Sequence, residues 1–269
     1  MKLLAIVFLF FSINTFAQKR KLIWSDEFNY VGLPNKKKWT FEKGHQRNRE
    51  QQYYTVNKKE NAWVKNGCLT ITGRKATIKN EQYKPNSSAW ETKDSLAYYT
   101  SASVTTLGKA AWKYGRIEIR AKLPNGKGIW PAIWMMGNNR NLVQWPTCGE
   151  IDIMEFVGTD TNHVHSAVHY EQNTVDGFAS ATNKQFVQQP YEQFNIYALE
   201  WTKEKLNFYF NDSLYHSFEI HKANYKNTNP FKKPFYLIIN LAMGANWPGP
   251  IDDNALPQSF VIDYVRVYQ

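Results

Sequence analysis

The stretch Cys148-Gly149-Glu150-Ile151-Asp152-Ile153-Met154-Glu155-Phe156 carries three carboxylates separated only by apolar residues, with no Gly or Pro between them. In an extended strand alternate side chains share a face. Glu150 and Asp152 then point one way, and Ile151 and Ile153 point into the layer behind. Glu155 stands three positions past Asp152, so a regular strand would turn it into the core, where an unpaired carboxylate is costly. One extra residue at Met154, forming a β-bulge, returns Glu155 to the face of the other two. Bulges are over-represented beside active sites.

Two carboxylates on one strand face, about 5 Å apart, suit cleavage of a glycosidic bond with retention: one attacks the anomeric carbon, the other protonates the leaving oxygen and then activates water. A third between them can hold the proton balance, because close like charges push their pKa values apart. Three solvated acids on a polar strand face would show the same spacing, so the rest of the chain has to decide.

Working outward, the flanking segments read as strands. Trp130-Pro131-Ala132-Ile133-Trp134-Met135-Met136 precedes the acid strand, and Val164-His165-Ser166-Ala167-Val168-His169-Tyr170 follows it, with His165, Ala167 and His169 on one face. Arg116–Leu123 alternates strictly, as does Val261–Tyr268, and each predicts a strand with one wet face. Ala62-Trp63-Val64, the Asn66-Gly67 turn and Cys68–Thr72 form a hairpin. Leu22–Asn29, Lys38–Glu42, Tyr98–Thr106, Tyr197–Trp201, Leu206–Phe210 and Phe235–Ala242 complete the set, and residues 79–96 read as a loop. No long amphipathic helix is evident. Many short strands with turns between them predict an all-β chain folded as a jelly-roll β-sandwich.

Residues 1–17 read as a Sec signal peptide: Lys2 is the charged start, Leu3–Phe11 the apolar core and Thr15-Phe16-Ala17 the cleavage site. The apolar run is too short to span a bilayer comfortably. Residues 18–269 show no linker and no repeat, so one domain with one core is expected. Cys68 and Cys148 are the two cysteines; one disulfide is possible in an oxidising compartment, but nothing in the sequence brings them together, so two buried free thiols are expected. The formal charge is +10. Basic runs at Lys19-Arg20-Lys21, Lys36-Lys37-Lys38 and Lys58-Lys59 could attract nucleic acid or a sulfated polysaccharide. No nucleic-acid motif accompanies them, and they read as solvated surface.

The segments WSDEFN (24–29), EQQYYT (50–55), YGRIEIRAKLPNGKGIWPAIWMM (114–136), WPTCGEIDIMEFVG (145–158), YALEW (197–201), LIINLAMGANWPG (237–249) and IDYVRVYQ (262–269) resemble the bacterial laminarinase-like endo-β-1,3-glucanases of glycoside hydrolase family 16. The resemblance covers most of residues 18–269. It implies a concanavalin A-like jelly roll whose concave sheet carries a glycan-binding cleft. It implies Glu150 as nucleophile, Glu155 as acid/base and Asp152 as their electrostatic assistant. The extra residue in the acid strand matches the bulged form of the family, shared by laminarinases, agarases and carrageenases, and the flanking motifs favour laminarinases.

Trp130, Trp134 and Trp247 are candidates for a sugar-stacking platform, with core packing the alternative for each. Asn240 interrupts an apolar strand, either to satisfy core backbone groups or to bind sugar hydroxyls. His165 and His169 are candidates to line the cleft near the acid/base. Asn48 is carried over as a cleft contact. Arg49 stands where the family often has a second Asn, and Ser103 where it often has Arg. Both departures bear on substrate preference. Family members often hold a structural calcium, and here Asp263 would supply a carboxylate with Glu27 and Gly67 supplying carbonyls. No catalytic cofactor is implied. The expected protein is a secreted or periplasmic monomer that hydrolyses β-1,3-glucan, tolerating mixed β-1,3/1,4 linkages in one variant of the reading. It would not bind nucleic acid, nor membranes once the leader is removed. Competing readings are an agarase- or carrageenase-type galactan hydrolase, a transglycosylase and a non-catalytic lectin on the same fold.

Overall fold

The computed structural model describes residues 20–269, and the leader read over residues 1–17 lies outside them. The strands are β1 (Leu22–Asp26), β2 (Thr40–Phe41), β3 (Gln52–Tyr54), β4 (Ala62–Lys65), β5 (Cys68–Lys79), β6 (Leu96–Ser101), β7 (Ser103–Thr105), β8 (Gly115–Lys122), β9 (Ile129–Gly137), β10 (Glu150–Glu155), β11 (His163–Glu171), β12 (Phe178–Phe186), β13 (Asn195–Trp201), β14 (Lys205–Phe210), β15 (Ser213–Glu219), β16 (Phe235–Met243) and β17 (Gln258–Tyr268). The only helices among the described residues are three short 3-10 turns, and none is long and apolar enough to cross a membrane.

Two sheets stack into the expected jelly-roll sandwich. One runs β15-β14-β13-β8-β17-β5-β6-β3, with β1 on β17 and β4 on β5. The other runs β12-β11-β10-β9-β16-β7-β2. Alternation sets which side faces in. On β8, Ile117, Ile119 and Ala121 are fully buried. Its outer face pairs Arg116 with Glu118 and Glu200. One apolar layer joins the sheets, from Phe28 and Trp39 through Ile133, Ile151 and Trp201 to Val267.

β9 and β16 are apolar on both faces for a local reason. Ile133 and Met135 belong to the main core, while Ala132, Trp134 and Met136 join Tyr236, Ile238 and Cys148 in a second cluster on the opposite face. That second layer is the floor of the cleft. Cys68 and Cys148 are free, as expected, but Cys68 is partly exposed. β12 was not foreseen. It is a polar, largely exposed edge strand, with too little apolar alternation to mark it.

Phe235 is fully buried in the joined core, whereas Phe186 at the edge is 63% exposed. Phe235→Ala should lower unfolding free energy by about 3–5 kcal/mol in urea titration. Phe186→Ala should change it by less than about 0.5 kcal/mol.

Candidate active site

Gly149 admits the chain to β10. Its φ is +78°, and an added Cβ would lie 2.6 Å from Pro230 Cβ, so both conformation and space call for glycine. From there Ile151, Ile153, Met154 and Phe156 all enter the core. Consecutive residues Ile153 and Met154 can do so because the strand bulges between Asp152 and Glu155. Against β9 the shift falls between Asp152 and Met154. The unpaired residue on that side is therefore Ile153, one position before the expected Met154. The consequence is as anticipated: Glu150, Asp152 and Glu155 all line the open face of the seven-stranded sheet.

Two of the three acids have a side chain close beside them. Trp130 Nε1 donates to Glu155 Oε1 at 3.1 Å. His169 Nε2 lies 3.2 Å from Asp152 Oδ2, and its Nδ1 lies 2.6 Å from Ser180 Oγ. Contacting atoms of Glu150, Asp152 and His169 lie within 4.8 Å of one another. A metal ion could fit that spacing, but the same atoms also form a proton-sharing cluster. Burial and the neighbouring Asp152 charge push Glu150 up to about 8, with His169 and Arg47 pulling the other way. Burial also raises Asp152. Glu155 is raised well above the carboxylate range by burial and by the charges of Asp152 and Glu150. The trio titrates as a unit, and it cannot carry three charges at neutral pH.

The cleft around the trio encloses about 490 Å³ and reaches from Arg140 and Trp145 to Trp247. Trp130 and Trp247 meet edge to face at 5.2 Å, and His165 packs on Trp247 in the same way. His165 lies opposite Glu155 across the strands, while His169 lies opposite Glu150. The two histidines thus flank different acids, not the acid/base alone.

The sequence pattern of glycosyl hydrolases family 16 matches residues 49–266. The chain belongs to this family. It is 41% identical to a β-glucanase of Rhodothermus marinus over 93% of this chain and 85% of that protein. The laminarinase catalytic domain of Thermotoga maritima superposes with a TM-score of 0.80 at 40% identity, covering 93% of this chain and 98% of that one. A structure described with endo-acting O-glycanases of the human gut microbiota that initiate mucin breakdown superposes at 0.88 with 36% identity, covering 94% and 92%.

Several family-16 expectations change in detail. Trp134 is only 6% exposed. Its Nε1 donates to Asn240 Oδ1 at 2.7 Å, and the Arg47 guanidinium lies 4.8 Å from its ring centre. That approach occupies a ring expected to stack on sugar. Asn240 in turn donates to Tyr54 Oη at 3.0 Å, so both its side-chain groups bind protein side chains while it lines the hollow beside the three acids. Asn48 lines the cleft floor and donates to Glu50 Oε1 at 3.2 Å. Asn48 and Arg49 both take left-handed backbone. Arg49 lies outside the cleft, in a separate hollow beside Trp90 and Lys93. Ser103 is buried and donates to Glu42 Oε2, which also accepts from Arg47. Arg47 was missed because this chain Ser103–Glu42–Arg47 links distant parts of the sequence. Arg140, Trp145 and Glu50 were missed as cleft residues too, and no spacing rule would have found the first two.

The calcium set can be examined residue by residue. β17 shifts register between Ile262 and Tyr264 against β8, which places Asp263 at a bulge. Asp263 Oδ2 accepts from Arg120. Glu27 gives both carboxylate oxygens to Arg266, leaving its carbonyl for any other role. Ile262 lies opposite Leu69, so Asp263 sits beside Cys68 and the Gly67 turn. The donor type, oxygen throughout, fits a hard cation. The Arg120 charge beside Asp263 opposes one.

Glu150 ionises near 4.5 when unfolded and near 8 when folded. Below pH 4.5 both states hold the proton and burial carries no charge penalty. As pH rises toward 8, unfolding releases the proton and the native state loses stability. Glu150→Gln should therefore raise the thermal midpoint by an amount that is absent near pH 4, grows between pH 5 and 8 and then levels off. Calorimetry across pH measures this.

Proposed function

We propose that this protein is an exported endo-hydrolase of β-1,3-glucan that works by double displacement. The observation that carries the reading is the bulge that sets Glu150, Asp152 and Glu155 on one cleft-facing strand surface. The named activities of the Rhodothermus and Thermotoga relatives supply the glucan. Glu155, held protonated by burial and its neighbours' charge and oriented by Trp130, donates its proton to the glycosidic oxygen as that bond breaks. Glu150 attacks the anomeric carbon and forms a glycosyl ester. Glu155, now a carboxylate, takes a proton from water, whose oxygen displaces Glu150 and restores both groups. Asp152 and His169 absorb the change of charge on Glu150 between the steps. Trp130 and Trp247 offer aromatic surface to the sugar rings.

The superposition on the mucin O-glycanase structure, higher than on the laminarinase, favours a second reading in which the same chemistry acts on mucin O-glycans. Ser103, tied through Glu42 to Arg47, and Arg47 on Trp134 bear on the part of the cleft that would discriminate the two. The structural calcium reading rests on the oxygen donors at Asp263, Glu27 and Gly67. It has no catalytic role, and EDTA should lower the thermal midpoint while leaving the rate on substrate below that midpoint unchanged. Export rests on the leader at residues 1–17.

Reducing-end release should occur from laminarin and fall at least about a thousandfold in Glu150→Gln. Release only from mucin would replace the glucan by the second substrate. Glycan binding with no release from either would leave a lectin. In Arg47→Gln the acid limb of kcat/KM should move to higher pH, because a positive charge that favours the Glu150 anion is gone.

A further inference from the structure

Away from the cleft, an open groove of about 590 Å³ lies over the corner where β5, β6 and β3 meet. Its origin is the length of β5. β17 pairs with β5 only as far as Gly73. Beyond that, Arg74–Lys79 continue against β6 alone, and β6 pairs with β3 in parallel. Arg74, Ala76, Ile78 and Lys79 line the groove from this overhang, with Lys43 and Lys58 from the segments around β3. Lys43 is neutralised by Glu81 at 2.5 Å. Glu60 is the remaining carboxylate in the lining. Lys58, Arg74 and Lys79 make no ion pair among the described residues.

One buried group in the lining also lacks a partner. Tyr53 is 3% exposed, and its hydroxyl lies beside the Glu81 backbone without meeting any partner in hydrogen-bond geometry. Buried polar groups are nearly always satisfied. Its strand neighbours are satisfied on the cleft side: Gln52 accepts from Met243 N and Tyr54 from Asn240. β3 therefore separates the cleft floor from the groove. The segment joining Lys43 to Tyr54, closed by the Gly44–Tyr54 bridge, contributes to the walls of both.

We propose that this groove is a second, non-catalytic glycan site for an acidic oligosaccharide segment, one bearing sulfate esters or uronate carboxylates. Lys58, Arg74 and Lys79 meet the anionic groups. The volume suits a short oligosaccharide. Tyr53 is 3% exposed and gives no open ring face, so neither neutral sugar stacking nor base stacking is available from it. Charge is the recognition. The proposal rests on the polysaccharide reading of the cleft. A polymer that carries both acidic and neutral glucan segments, held in the groove by the acidic ones, gains effective concentration at the acids for the neutral ones.

Affinity electrophoresis of the protein tests this with dextran sulfate, polygalacturonate and neutral dextran in the gel. Retardation by either acidic polymer is expected, and which one acts identifies the anion. Neutral dextran should have no effect. Lys58→Ala/Arg74→Ala/Lys79→Ala should weaken binding about tenfold, the loss of three exposed ion pairs. Lys36→Ala/Lys37→Ala/Lys109→Ala, the same charge change elsewhere, should leave binding intact. Hydrolysis of short neutral laminari-oligosaccharides should be equal in all of them. Equal weakening in the control triple, equal retardation by neutral dextran or displacement by a single-stranded oligonucleotide at matched charge would overturn the proposal. Acidic-glycan binding with no hydrolysis of any glucan would uphold the groove and overturn the glucan reading.

Discussion

Three carboxylates packed on one strand face repel one another, and that repulsion is the constraint the surrounding structure answers. Burial alone would neutralise all three. The cleft instead sets counter-charges and donors around them unevenly. His169 stands beside Asp152 and Glu150, the Arg47 charge reaches Glu150, and Glu155 receives one neutral indole donor. Glu155 is thereby the group that keeps its proton, while His169 and Arg47 favour the anion of Glu150. The proposed roles of acid and nucleophile thus rest on a difference in environment, with no difference in side-chain chemistry.

Holding that arrangement calls for a rigid floor. β9 and β16 supply it by being apolar on both faces, with the main core below and Trp134, Met136, Tyr236 and Ile238 above. Trp134, Asn240 and Tyr54 form a side-chain chain across that floor, and Arg47 lies on top of it, tied through Glu42 to Ser103. An aromatic ring that would suit sugar stacking is thus spent on positioning a cation. Under the proposed function, sugar contact then falls to Trp130, Trp247 and the exposed Trp145.

Much of this was legible because it follows from period-two alternation. The runs 116–123 and 261–268 became β8 and β17 with the expected faces, and the parity of Glu155 demanded a bulge. Its exact residue was not legible, since the unpaired position depends on how β9 and β11 register against β10. β12 escaped because an exposed edge strand needs no apolar face. Arg49 was placed in the cleft from its neighbours in sequence, but the left-handed backbone at Asn48 and Arg49 carries Asn48 to the cleft and Arg49 to a separate hollow. The Arg47–Glu42–Ser103 link joins residues that nothing local relates, and only the assembled sheet reveals it.

The central proposal is that the bulge, by setting Glu150 and Glu155 on one strand face, lets one carboxylate form a glycosyl ester while the other serves as acid and then base. Proton NMR of the first product released from a β-linked glucan by fresh enzyme measures this before mutarotation intervenes. The account predicts that the β-anomer appears first and the α-anomer grows in later. An α-anomer at the earliest time would contradict it, because water would then have displaced the leaving group in a single step.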